Sequence, residues 1–265
     1  MKKLKIVLFI PGAIVLIYFG SRIFRSFLVE EEVTELKTDH FVLSYHGIYK
    51  NDAEAIADKL EGNYQRIRTD LNDPAHETVR VFIHPTQAEF NRGTGLANST
   101  ANGTSRGPNE FHLLWTDWFN SVFPDDPIKT AIHEFTHCVQ LNILIKEAEA
   151  QWKGKDDANF NKAFEEKFMK EYPQWFWEAI CDYEARILNS ISVKYGMRKT
   201  PTLKSLNNSN QIYNVGYTII EYIVAKWGNE RLPDLIRTYV DIPAVLGVSE
   251  SDFEKGWVEF VTERY

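Results

Sequence analysis

The segment His133-Glu134-Phe135-Thr136-His137 sits inside an apolar run, and no other feature constrains the chain as tightly. Asp126 followed by Pro127 supplies an N-cap with proline at the first helical position, so a helix is expected to begin there. On that helix His133 and His137 lie one turn apart on one face. Ala131, Ile132, Phe135 and Val139 mark the helix as buried. Buried imidazoles need partners, and a shared metal ion is one that this spacing suits. Glu134, beside them, is the residue type that serves as general base in such a pattern.

A metal with a position left open for chemistry takes three protein ligands. One class of His-Glu-x-x-His proteins places a third histidine six residues after the second, with glycine at the third. Ile143 and Gln140 stand at those positions, which excludes that class. The other class takes a glutamate from a later helix. Residues Pro173-Gln174-Trp175-Phe176-Trp177-Glu178-Ala179-Ile180-Cys181-Asp182-Tyr183 form a mostly apolar segment with two acids four apart. Glu178 and Asp182 then share a face. Glu178 is the expected third ligand, and Asp182 the acceptor for the free N–H of a ligand histidine.

These two segments resemble the gluzincins, zinc metallopeptidases with a glutamate third ligand. They are more closely similar to the bacterial peptidase MA-like domains, which pair a His-Glu-x-x-His helix with a Pro-x-Trp-Phe-x-Glu-Gly-x-Ala-x-Tyr helix. Pro173, Trp175, Phe176, Glu178 and Tyr183 match; Ala179 and Cys181 depart from the usual Gly and Ala, and both are small. Weaker likeness at Asp39-His40-Phe41, at Tyr213 to Tyr217 and at Phe253 to Trp257 extends the resemblance over about residues 35–265. It implies an α+β, zincin-like (thermolysin-like) catalytic domain, with a small N-terminal sheet and a helical C-terminal lobe. One Zn2+ per chain would be held by His133, His137 and Glu178. Glu134 would take a proton from metal-activated water during hydrolysis of a peptide or protein substrate. A tyrosine on a later helix would stabilise the oxyanion, Tyr213 ahead of Tyr217. An exposed strand upstream would pair with the substrate backbone; Gly107 to Leu113, with Phe111 and His112, is the candidate. A zinc hydrolase of another bond, and a membrane-tethered interaction module that keeps zinc for stability, remain open alternatives.

The first thirty residues differ in kind from the rest. Lys2, Lys3 and Lys5 precede an apolar stretch from Ile6 to Phe19, the order of a secretory signal, yet no small-residue cleavage site follows. Residues 1–30 are therefore expected to be an uncleaved N-terminal membrane anchor, with a cleaved signal as the alternative. Residues 31–265 form the domain, at the cell membrane with its body outside the cytoplasm, or secreted. Residues 1–30 carry five basic residues against Glu30 alone, a net of +4, which leaves −11 on the remainder of a chain whose net is −7. An acidic body is repelled by phosphate backbones, so no nucleic-acid partner is expected.

Elsewhere, periodicity predicts strands at Phe41 to Tyr45, Val79 to Ile83 and Phe111 to Trp115, and a helix from Asn51 to Leu71. The Gly- and Asn-rich residues 93–109 are expected to be a loop. Phe160, Phe164 and Phe168 recur every four residues and predict an amphipathic helix between the two motifs, near the cleft or the anchor. Cys138 and Cys181 read as two buried thiols, with a disulfide between the two motif helices as the alternative.

Overall fold

The computed structural model describes residues 32–97, 99–115, 126–152 and 159–265. The expected anchor lies outside the described residues, and among those residues no helix is long and apolar enough to cross a membrane.

The domain is α+β, a small sheet followed by a helical part. The strands are β1 (Val33–Lys37), β2 (Phe41–His46), β3 (Val79–His84), β4 (Gly103–Ser105) and β5 (Glu110–Leu114). The helices are α1 (Lys50–Asp70), α2 (Gln87–Thr94), α3 (Pro127–Trp152), α4 (Phe160–Glu171), α5 (Gln174–Glu184), α6 (Ser190–Met197), α7 (Leu203–Leu206), α8 (Ile212–Trp227), α9 (Arg231–Arg237), α10 (Ile242–Leu246) and α11 (Glu250–Arg264). The sheet order is β1-β2-β3-β5-β4. The inner pairs β2–β3 and β3–β5 are parallel, and both edge pairs are antiparallel.

Alternation along the strands sets which side of the sheet is dry. Leu43, Val81 and Phe111 are in register on one face, all fully buried. That face meets α1 and α3, where Phe41, Tyr64 and Phe135 form an aromatic triangle with centroids 5.2–5.7 Å apart. On the other face Phe82 stacks on His112 at 4.8 Å, and α2 sets Phe90 against His84.

The long helix α3 begins as its sequence dictates, with Asp126 Oδ1 accepting from the Ile128 N–H at 3.0 Å. A buried polar node then pins it to α1. Asp73 accepts from Arg68 and, at 2.7 Å, from Asn142 of α3, while the Arg68 guanidinium lies 5.6 Å from the Phe135 ring centre.

The helix α5 is held against α3 on one side and α8 on the other. Gly216 of α8 makes the second approach possible: a Cβ there would lie 3.2 Å from the Ala179 Cα. Trp257 of α11 backs α8 with an indole N–H to the Thr218 hydroxyl at 3.0 Å. Because the Ala179 contact is to backbone, the helices cannot yield locally. Gly216→Val is expected to destabilise the domain by about 1–3 kcal/mol through overpacking. Thermal unfolding of the variant beside the wild type measures this, and an unchanged midpoint would refute the close approach.

Candidate metal centre

The two motif segments meet as side chains, not merely as helices. His133 and His137 project from α3 with their rings 4.7 Å apart and nearly perpendicular. The α5 carboxylate Glu178 faces both: its Oε2 is 3.2 Å from His133 Nε2 and 3.8 Å from His137 Nε2. A tetrahedral ion with bonds of about 2.0–2.1 Å separates its ligand atoms by about 3.3 Å, so this spacing fits a single ion.

The outer nitrogens are also engaged. His133 Nδ1 is 3.1 Å from Asp182 Oδ1, the contact expected of the acid four residues after Glu178. His137 Nδ1 is 3.1 Å from Cys181 Sγ, and the Gln140 side-chain amide donates to the same sulfur at 3.1 Å. Trp177 stacks on the His137 ring at 4.2 Å. His133, His137 and Cys181 thus form a buried group that can hold a metal ion, with ligand atoms within 4.8 Å of one another. Glu178 occupies the Nε2 side of His137 and Cys181 the Nδ1 side. An ion at the Nε2 atoms leaves Cys181 as a hydrogen-bond partner that orients His137. The two cysteines are free and buried, so no disulfide joins the helices; Cys138 Sγ contacts the Glu110 carbonyl at 3.6 Å instead.

Glu134 points into the same space, and its Oε2 is buried without a hydrogen-bond partner. An orphaned carboxylate oxygen beside two imidazoles is expensive unless something positive or protic shares the site. Burial, with the charge of Glu178 added, pushes the Glu134 carboxyl up to about 7. Burial disfavours charge on His133 too, but its bonds to Asp182 and Glu178 outweigh this and hold its pKa well above the usual imidazole value. Nothing comparable offsets burial at His137, which is pushed down to about 3.

These groups open onto a cleft of about 770 Å³. Its far wall is Ser99 to Ser105, which includes strand β4. There the sequence expectation is corrected: β5 is an interior strand, and the free edge beside the site is β4. Phe111 is fully buried in the core and His112 lies on the opposite sheet face, its Nδ1 2.8 Å from His84 Nε2; neither lines the cleft. Residues 93–109 were too polar to suggest a strand, and three residues of Gly-Thr-Ser carry no periodicity. Gly103 was the available signal: a Cβ there would lie 2.6 Å from Glu134 Oε1, so a larger residue would push the acid from this position.

Tyr213, in the first turn of α8, lines the cleft and donates to Glu178. Tyr217, one turn on, packs on Tyr183 at 5.2 Å and does not line it. The phenylalanine stripe forms α4 as expected. It ends with Phe168 5.2 Å from Trp177, so the inserted helix supports the ring that covers His137. No protein-family model matches the chain, and no curated protein matches it significantly.

A metal must displace the proton that His133 holds, whereas His137 is already neutral. At about pH 8 binding is expected to release about one proton per ion. At about pH 6 it should release more, because the Glu134 carboxyl then starts protonated and a cation favours its ionised form. Calorimetric titration in buffers of different ionisation enthalpy reads the number. Release that stays near zero at both pH values would refute the charge assignment.

Proposed function

We propose that this chain is a zinc-dependent metallopeptidase with a zincin-like catalytic domain. The observation that carries the reading is the convergence of His133, His137 and Glu178 on one point, with Glu134 beside it and its Oε2 without a partner. Imidazole and carboxylate ligands at this spacing suit Zn2+, and a three-ligand set leaves a position for water. When bound, the ion would polarise a substrate carbonyl and acidify that water.

The protein's own groups have distinct tasks. Asp182 fixes the His133 ring through Nδ1, and Cys181 with Trp177 fixes His137. Glu134 is walled in by Gly103 and held near the pKa at which a carboxylate both takes and returns a proton at neutral pH. Its role is to accept the water proton and pass it to the leaving amine. Tyr213 lines the same cleft beside Glu178, where a phenolic O–H can donate to a developing oxyanion. Strand β4 is the sheet edge beside Glu134, whose carboxylate takes a hydrogen bond from the Ser105 backbone. An extended polypeptide would add to that edge as a further strand, which favours a peptide over a compact substrate.

Glu134→Gln tests the catalytic account. The variant is expected to keep its zinc and to lose peptide hydrolysis by at least about 10²-fold, the usual weight of a general base. Glu178→Ala should instead lose the metal. Turnover that persists in zinc-loaded Glu134→Gln would end the proposal.

Tyr213→Phe separates an oxyanion role from a packing role. It is expected to lower kcat by about 10²-fold with KM little changed. Tyr217→Phe, whose ring packs on Tyr183 away from the cleft, should behave as wild type.

A further inference from the structure

The surface beyond the cleft carries a charge pattern that the proposed chemistry does not use. From Arg186 to Ile220 the chain has no Asp or Glu, yet it holds Arg186, Lys194, Arg198, Lys199 and Lys204. All five are exposed. This run lies in a portion of the chain, residues 31–265, whose net charge is −11. Acids from elsewhere border its two ends, with Glu254 accepting from the Leu203 N–H beside Lys204 and Glu184 near Arg186, so the basic character is concentrated at Lys194, Arg198 and Lys199.

The helix α6 sits within the island, and its two sides are unlike. Val193 and Gly196 face inward; a Cβ on Gly196 would lie 2.6 Å from a Val215 methyl of α8. The outward side carries Ile191, Lys194, Tyr195 and Arg198 at i, i+3, i+4 and i+7, which is one helix face. Ile191 is 81% exposed and Tyr195 64% exposed, with Leu188, just before the helix, at 39%. Exposed apolar side chains grouped on one face and rimmed by polar residues are the form that interaction surfaces take. The Arg198 guanidinium lies 5.3 Å from the Tyr195 ring centre, so cation and aromatic ring present a common surface.

Apolar and aromatic side chains interleaved with Lys and Arg match an anionic lipid interface. The rings and methyl groups enter the headgroup boundary, and the cations meet phosphate. The N-terminal sequence points the same way. Lys2, Lys3 and Lys5 followed by the apolar residues Ile6 to Phe19 give the chain a second element suited to that surface. We propose that the outer face of α6, with Leu188 and Lys199 at its ends, is a docking surface for an anionic lipid bilayer. Ile187, next to Leu188, lines the cleft.

The test uses the full chain with an environment-sensitive fluorophore on Ile191→Cys; Cys138 and Cys181 are buried. A second protein carries the label on Glu165→Cys, an exposed position on α4. Each is mixed with vesicles of phosphatidylcholine alone, or with about one-third phosphatidylglycerol. The expected result is a blue shift at residue 191, and not at 165, in the anionic vesicles only. Replacing Lys194, Arg198 and Lys199 together by Glu should weaken the response by at least about tenfold, as should high salt. No shift at residue 191, or equal shifts in both lipids or at both positions, would overturn the proposal. A shift with soluble polyglutamate as large as that with anionic vesicles would also overturn it, in favour of an acidic protein partner.

Discussion

The contact between the Glu178 carboxylate and the two α3 imidazoles is the constraint on which the rest of the architecture turns. It gathers His133, His137, Glu134, Glu178 and Asp182 at the wall of one cleft, all but Glu178 buried. Isolated charges in such a place cost far more than a domain's net stability, so each must be paired or neutralised. Two pairings do most of this. His133 sits between Glu178 and Asp182, and His137 between Glu178 and the Cys181 sulfur. The arrangement remains incomplete at Glu134 Oε2 and at Asp182 Oδ2, both buried without hydrogen-bond partners. A cation is the simplest species that relieves a surplus of acid over base in one enclosed volume.

Holding that constellation requires rigid supports, and the structure provides them from three directions. The node of Arg68, Asp73 and Asn142 fixes α3 to α1 and hence to the sheet. The Gly216–Ala179 approach fixes α5 to α8, the helix that also delivers Tyr213. The ring series Phe160, Phe164, Phe168 and Trp177 carries the inserted helix onto the His137 face, with neighbouring centroids 5.2–6.2 Å apart. Packed interiors transmit displacement. A shift of any of these three supports therefore moves a ligand residue or the tyrosine beside it.

Cys181 illustrates how a small departure from a resembled pattern acquires a role. A thiol in place of the usual alanine fits the same space between α3 and α5. It also gives His137 Nδ1 a soft acceptor that the amide of Gln140 helps to orient. His133 has a carboxylate in the equivalent position. The two imidazoles are thus unequal in basicity, one held protonated and the other neutral before any ion arrives. That inequality follows from the Asp182 carboxylate at one outer nitrogen and from the closer approach of Glu178 to His133 than to His137.

The sequence by itself determined the elements that bury apolar surface at a regular period. These were the long helix α3 and its cap, the acid-bearing helix α5, the helix α1, strands β2, β3 and β5, and the phenylalanine stripe of α4. It also singled out the side chains that now share the cleft, because i, i+4 spacing on a helix fixes a common face whatever the tertiary fold. What only the tertiary structure decided was adjacency between segments distant in the chain. The three polar residues of β4 become the sheet's edge because β5 pairs with β3 on one side and leaves its other side to them. This sends Phe111 into the core and His112 to the opposite face. Tyr213 and Tyr217 share one face of α8, and only the seating of α8 along α5 brings the first to Glu178 and leaves the second, one turn on, against Tyr183. Periodicity is a local property and therefore legible along the chain. Strand neighbours and the seating of one helix along another are set by long-range packing, which no window of sequence contains.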